Sequence, residues 1–244
     1  PEIPYPSLGM SLPASARALV IGGTGPTGPA IVSGLEHRGL TVTLFHTGRH
    51  EVDEVAHVEH LHGDPFSAEG VTEALSDRTF DVVVACYGRL RAIAEVLSGR
   101  CDRFVSVGGT PAYRGYFDPT RFDPPGLPIP TAEDAPRSTQ DDDGKSYRVA
   151  RTEDLLFEHQ PAAIHLRYPF VYGPRQIAPL DWCIVRLVLD GRSAIIVPDA
   201  GLMAETRAYS ENAAHVVLCA VDTPAAGGRC FNVGDEESLT TAQR

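Results

Sequence analysis

No stretch of the 244-residue chain approaches the roughly 18 consecutive apolar residues of a membrane span, and its N-terminus lacks the basic segment and apolar core of a secretory leader. Cysteine is scarce. Five are present, an odd number with no CxxC pair, which argues against a disulfide framework or a zinc ribbon. Cys86, Cys183, Cys219 and Cys230 lie in apolar surroundings and read as small core residues rather than reactive thiols. Basic side chains fall short too: 21 Lys and Arg against 32 Asp and Glu leave a net charge of −11. Such a surface repels phosphate backbones and lacks the footprint of a nucleic-acid binder. No repeat of fixed period is apparent. A soluble cytoplasmic chain is the simplest reading, and 43% hydrophobic residues can build a sizeable core in one large or two small domains.

Glycine, by contrast, is concentrated where it carries information. Gly22-Gly23-Thr24-Gly25-Pro26-Thr27-Gly28 follows the apolar run Ala18-Leu19-Val20-Ile21 and precedes a helix-like segment from Pro29 to Leu35. A buried strand, a glycine turn and a helix start arrive in the order a dinucleotide site requires. One glycine reverses the chain, one lets backbone approach a pyrophosphate, and one lets helix and strand pack closely. The helix start offers N–H groups and a positive dipole end to the phosphates. Pro26 fits the first helical position, where its missing N–H has no partner to lose.

Alternating strand and helix signals predict βαβ units and a parallel sheet, an α/β fold of the Rossmann-type, doubly wound kind. Candidate strands are Ala18–Ile21, Thr41–Phe45, His57–His62, Asp81–Ala85, Arg103–Val107, Ala163–Arg167, Ala194–Val197 and Arg229–Val233. Runs such as Val82-Val83-Val84 suit strands buried on both faces. Candidate helices are Pro26–Arg38, Ala68–Leu75, Leu90–Leu97, Ser146–His159, Leu180–Leu189 and Glu211–Val221. Residues 1–16 read as an irregular, proline-containing tail. Residues 114–144 hold six prolines and end in Asp141-Asp142-Asp143-Gly144, and a loop this long in a compact domain is usually functional or disordered.

No metal is expected. The three adjacent aspartates read as residues facing water. On a strand His60 and His62 share a face and His57 does not, and neither a cysteine nor a suitably spaced carboxylate completes a ligand set.

The spacing Gly22, Gly25, Gly28 is GxxGxxG, which resembles the extended and atypical short-chain dehydrogenase/reductases, the superfamily of the NAD-dependent epimerases and dehydratases. His62-Gly63-Asp64 resembles its "GD" after the third strand. Arg103-Phe104-Val105-Ser106-Val107-Gly108-Gly109-Thr110-Pro111-Ala112-Tyr113 resembles its "SS…VYG" segment. Leu166-Arg167-Tyr168-Pro169-Phe170-Val171-Tyr172-Gly173-Pro174-Arg175 is similar to "LRP…VYGPR", and Cys230-Phe231-Asn232-Val233-Gly234 to "FNVG". The resemblance implies a nicotinamide cofactor held by Gly22, Thr24, Gly25, Pro26, Thr27 and Gly28. It adds Asp64 against the adenine amino group with Pro65 beside it, then Cys86, Tyr87, Val107, Tyr168, Pro169 and Val171. It also implies a cofactor-binding domain over residues 17–172 and a substrate lobe over 173–244 interleaved with the last Rossmann elements, either unusually small or shortened. The long loop then lies over the active site.

At the tip of the second strand an acid bonds the adenosine ribose, whereas a basic residue accommodates a 2′-phosphate. Here the acid position is His46, Thr47 offers a hydroxyl, and Arg49 supplies a fork that binds phosphate bidentately. NADP is favoured over NAD.

Relatives that oxidise or reduce an alcohol use Tyr-x-x-x-Lys, whose spacing puts both side chains on one helix face. Tyr147 is present here, but Arg151 stands at the lysine position. Arginine can still stabilise a tyrosinate, yet it does not give up a proton at ordinary pH, so a lysine-dependent relay is impaired. Lys145 is a second cation that can approach the ribose from outside the motif. The family's serine position falls on Gly109, with Thr110 beside it and Ser106 earlier on the strand. The expectation is an NAD(P)-dependent oxidoreductase or epimerase acting on a small hydroxylated or carbonyl metabolite, with Tyr147 moving the proton, Arg151 as electrostatic partner and Thr110 or Ser106 helping. The alternatives are an NADP-binding regulatory protein without redox activity, and a dehydratase or isomerase with no net redox. Many relatives pair the tyrosine helix and the helix near Leu90–Leu97 across a two-fold axis, so the resemblance also implies a homodimer.

Overall fold

The computed structural model describes residues 12, 13, 15–121, 123, 125–176 and 180–244. Most of the expected N-terminal tail therefore lies outside the described residues. Seven strands form one parallel sheet: β1 (Arg17–Ile21), β2 (Thr41–His46), β3 (Glu59–His62), β4 (Phe80–Ala85), β5 (Cys101–Gly109), β6 (Ile164–Tyr168) and a late strand, Arg229–Asn232. Between β6 and that late strand come the short β7 (Phe170–Tyr172), β8 (Ala204–Glu205) and β9 (Arg207–Tyr209), which makes the late strand β10; β11 (Leu239–Thr240) pairs with β8. The sheet order is β10-β6-β5-β4-β1-β2-β3, with every pairing in it parallel.

Alternation along the strands divides the core in two. Ala18 and Val20 of β1 pack with Val32 and Leu35 of helix α1 (Gly28–Glu36) and with Val217 and Leu218 of the last helix, Ser210–Asp222. Leu19 and Ile21 point the other way, toward Val71 and Leu75 of α2 (Ala68–Leu75), Ile93 of α3 (Leu90–Val96) and Leu156 of α4 (Gly144–His159). Helix α5 (Leu180–Leu189) precedes the last helix, α6, and buries no residue. Such two-sided burial is why the strands read as continuous apolar runs.

Four expectations are corrected. Ala194–Val197 is no strand: Ile196 is 98% exposed and the run pairs with no strand among the described residues. Pro26 lies in the turn, and the proline in the first turn of α1 is Pro29, because the helix starts at Gly28. Cys183 is exposed on α5, although burial does push the Cys86 thiol up to about 12 and keeps it inert. The aspartate triplet is not simply solvated. Asp142 accepts the N–H and hydroxyl of Thr139 and the Arg114 guanidinium, while Asp143 caps α4 by accepting the N–H groups of Lys145 and Ser146.

Candidate functional site

From β1 the chain turns toward β2 on one side, while β4 flanks β1 on the other. Strand order reverses there, and a crevice opens beyond the strand ends, the place where open α/β sheets bind ligands. Three cavities follow one another along it. The first, about 520 Å³, is lined by Gly22, Thr24, Gly25, His46, Thr47, His50, Tyr87, Arg175 and Gln176. A second, about 400 Å³, shares Gln176 and takes in Pro26, Thr27, Cys86, Val107, Tyr168, Pro169 and Val171. The third, about 520 Å³, shares Val107, Gly108 and Gly109 with the second and runs under α3 and α4.

The glycine turn shows why each position is glycine. Gly22 sits at φ +87°, and a Cβ there would lie 2.3 Å from Cβ of Tyr87. At Gly28 a Cβ would lie 2.0 Å from the carbonyl oxygen of Gly23, so the close packing of α1 on the turn excludes any side chain. Gly25 differs. A Cβ there meets nothing nearer than the Gly22 carbonyl at 3.8 Å, and the residue faces the first cavity. The fold itself does not demand glycine at 25. Thr27, before α1, makes no side-chain cap bond, which leaves the helix start open toward the second cavity.

Most predicted cofactor residues converge on this crevice: Gly22, Thr24, Gly25, Pro26, Thr27, His46, Thr47, Cys86, Tyr87, Val107, Tyr168, Pro169 and Val171 all line it. Gly28, Arg49, Asp64 and Pro65 do not. Asp64 is exposed and accepts the Phe66 N–H, and the Pro65 carbonyl accepts the Arg89 N–H, so both shape the turn after β3. Sequence reasoning passed over Arg175 and Gln176, which reach the first cavity from beyond β7; Arg175 is paired with Glu54. No carboxylate is among the described residues lining that cavity. Tyr168 donates its hydroxyl proton to the Ala213 carbonyl, and burial holds its ionisation far above the usual phenol range.

The four predicted catalytic residues are not brought together in the crevice. Ser106 is fully buried and bonds Nδ1 of His165 at 2.8 Å. Thr110 begins a 3₁₀ turn outside the cavity lining. On α4 the residues that wall the third cavity are Lys145, Arg148, Val149, Thr152 and Glu153; Arg151 is half-exposed beside Asp154, and Tyr147 is not in the wall. Two residues of offset turn a helical side chain by about 200°, at 3.6 residues per turn. The pairs four apart that face the cavity are thus Lys145 with Val149, Arg148 with Thr152 and Val149 with Glu153. Lys145, the chain's single lysine, sits 5.5 Å from the ring centre of Phe117, which the long loop contributes to the same cavity.

Behind that wall lies a buried charge network. Glu153 accepts two hydrogen bonds of 2.8 Å from Arg167 on β6 and one of 3.1 Å from Arg137 of the long loop. Its Oε1 lies 3.5 Å from Nε2 of His165. Burial opposes ionisation of Glu153, but the Arg167 and His165 contacts outweigh it and hold the carboxyl at about 2. Arg167 also donates to the Tyr113 hydroxyl, which donates in turn to Asn232 on β10. Gly108 is needed here, because a Cβ would press within 2.5 Å of the His165 ring.

No protein-family model matches the chain, and no curated protein sequence matches it. Solved structures do. Pal from Bacillus thuringiensis superposes with a TM-score of 0.72 at 16% identity, over 93% of this chain and 80% of that one. WbmH from Bordetella bronchiseptica, solved with NAD+, gives 0.71 at 15% over 93% and 78%. The UDP-glucose 4-epimerase of Thermus thermophilus, solved with NAD, gives 0.69 at 21% over 93% and 80%. The chain shares its Rossmann-type α/β fold with these three proteins.

Proposed function

We propose that the chain binds a nicotinamide dinucleotide, NADP in preference to NAD, along the first two cavities and acts on a small hydroxylated or carbonyl metabolite in the third. One observation carries this reading: Gly25 is free of steric demand from the fold yet lines the crevice at the topological switch point, where only a closely approaching ligand requires glycine. The backbone of residues 22–28 receives the pyrophosphate, His46, Thr47, His50 and Arg175 surround the adenosine end, and Tyr168 and Pro169 border the nicotinamide end. A lining without carboxylates and with Arg175 favours a 2′-phosphate over a bare ribose hydroxyl. Structural neighbours solved with NAD support the cofactor class. The cofactor supplies hydride acceptance and donation; Lys145 and Arg148 supply positive charge where an alkoxide or carbonyl oxygen forms.

A second reading is favoured by one feature. Tyr147 and Arg151 stand outside the cavity wall, which suits a nucleotide-binding protein of this fold without redox chemistry, or one catalysing dehydration or isomerisation without net redox. Purifying the protein and identifying the nucleotide it carries, followed by a hydride-transfer screen on carbonyl and sugar-nucleotide compounds, separates these. NADP retained with absorbance change on a substrate supports the enzyme; NADP retained without turnover supports the binding protein. A chain that neither carries nor binds either dinucleotide overturns both.

A further inference from the structure

Beside the first cavity three histidines and a glutamate bring one donor atom each within 4.8 Å of one another: His46 at the end of β2, His60 and His62 on β3, and Glu51 on the connection between these strands. The strand alternation places His60 and His62 on one side, as the sequence predicts, whereas His57, expected on the same strand, lies in the turn before β3 and is paired with Glu36. Pairing in register sets His46 opposite His62. What the spacing alone did not reveal is that His46 and Glu51 complete the group.

We propose that His46, Glu51, His60 and His62 bind one transition-metal dication of the zinc class, clasping the β2–β3 connection to the sheet edge. The geometry is that of a ligand shell. Zinc–nitrogen bonds of about 2.0–2.1 Å put neighbouring donors of a tetrahedron roughly 3.3 Å apart. Here His46 Nε2 and His60 Nδ1 are 2.9 Å apart, His62 Nε2 and Glu51 Oε1 3.2 Å, His60 Nδ1 and Glu51 Oε2 3.3 Å, and His46 Nε2 and Glu51 Oε1 3.7 Å. Three imidazoles and a carboxylate suit zinc and its neighbours, whereas magnesium and calcium favour all-oxygen shells.

The surroundings prepare the ligands. His60 Nε2 is 2.9 Å from the Val55 carbonyl, which only accepts, so Nε2 carries the proton and the Nδ1 lone pair points into the cluster. This is the outer-shell bond that orients metal-bound histidines. Without metal, His46 Nε2–H donates to that lone pair while the long Gly48 N–H contact of 3.4 Å reaches His46 Nδ1. On binding, His46 would shift its proton from Nε2 to Nδ1 and give up the weak Gly48 contact. His62 and Glu51 are about half exposed, which gives the ion a path from solvent.

The clasp would hold Thr47 and His50, which line the first cavity, but the site stands whether or not a nucleotide binds. The test uses the whole chain without an affinity tag, stripped with chelator and free of nucleotide. Zinc titrated by calorimetry should bind at one equivalent, and cobalt should give the intense visible absorption of a tetrahedral site. Glu51→Ala and His62→Ala should each weaken zinc at least tenfold, the loss typical even of outer-shell changes, with circular dichroism unchanged; His57→Ala should bind as the parent does. Zinc should raise the unfolding temperature of the parent and not of Glu51→Ala. No saturable uptake by the parent, or uptake by both cluster variants within tenfold of it, overturns the site.

Discussion

The missing side chain of Gly28 and the carbonyl of Gly23 define the glycine turn: a Cβ at 28 would stand 2.0 Å from that oxygen. Three residues earlier, the same addition at Gly25 would meet only ordinary contacts. Of two glycines in one motif, therefore, packing requires the one at 28 and not the one at 25.

That difference is measurable. Gly28→Ala should lower the thermal midpoint or abolish folding, since backbone must move to admit the methyl. Gly25→Asp should keep the parent circular dichroism yet lose nucleotide binding, because bulk and negative charge meet the phosphates. A Gly25→Asp chain that binds NADP normally by titration calorimetry would place the nucleotide elsewhere.

Arg175 lines the first cavity, the proposed adenosine end, whereas Arg49 lies outside that lining. Calorimetric titration should show tighter binding of NADP than of NAD. Arg175→Ala should weaken NADP selectively by about ten- to a hundredfold, the loss of roughly 1.5–3 kcal/mol for a charge-assisted bond. Arg49→Ala in the same titration tests the assignment that the sequence favours. Equal affinity of the parent for both cofactors would remove the argument.

Lys145 and Tyr147 separate the two registers of α4. Removing a group that stabilises developing negative charge typically costs about a hundredfold in turnover, so Lys145→Gln should show a loss of that size on a substrate found by the hydride-transfer screen. Tyr147→Phe should stay within a few-fold of the parent. A hundredfold loss in Tyr147→Phe alone would restore the Tyr-x-x-x-Lys register.

Glu153 ties α4 to β6, and its carboxyl ionises at about 2 against 4.5 when unperturbed. A depressed folded value contributes stability that is complete above about pH 4.5 and is lost as pH falls toward 2. Glu153→Gln leaves Arg167 buried with its partner charge removed and should cost about 3–5 kcal/mol near neutrality. Its stability should also fall less steeply between pH 4.5 and 2 than that of the parent. Denaturant midpoints across that range check both, and parallel acid limbs would show that the pair is not the one titrating.

Strand and helix positions were legible because burial leaves a local trace. Val82-Val83-Val84 reads as a strand with two covered faces, and Gly22 to Gly28 reads as a turn onto a helix, since both depend on neighbours in sequence. Ala194–Val197 carries the same apolar trace and forms no strand, because pairing needs a partner that local sequence does not supply. Many residues that line the crevice were named from sequence for the same reason as the turn, whereas Arg175 joins the lining from beyond β7, a placement that only the fold decides. Which face of α4 meets the cavity was decided by packing: Glu153 is drawn to Arg167 and His165, and this fixes the helix rotation that presents Lys145 and turns Tyr147 aside. Likewise the sequence set His60 and His62 on one face through the two-residue repeat of a strand. Only the parallel pairing of β2 with β3, and the fold of the chain between them, brought His46 and Glu51 beside them.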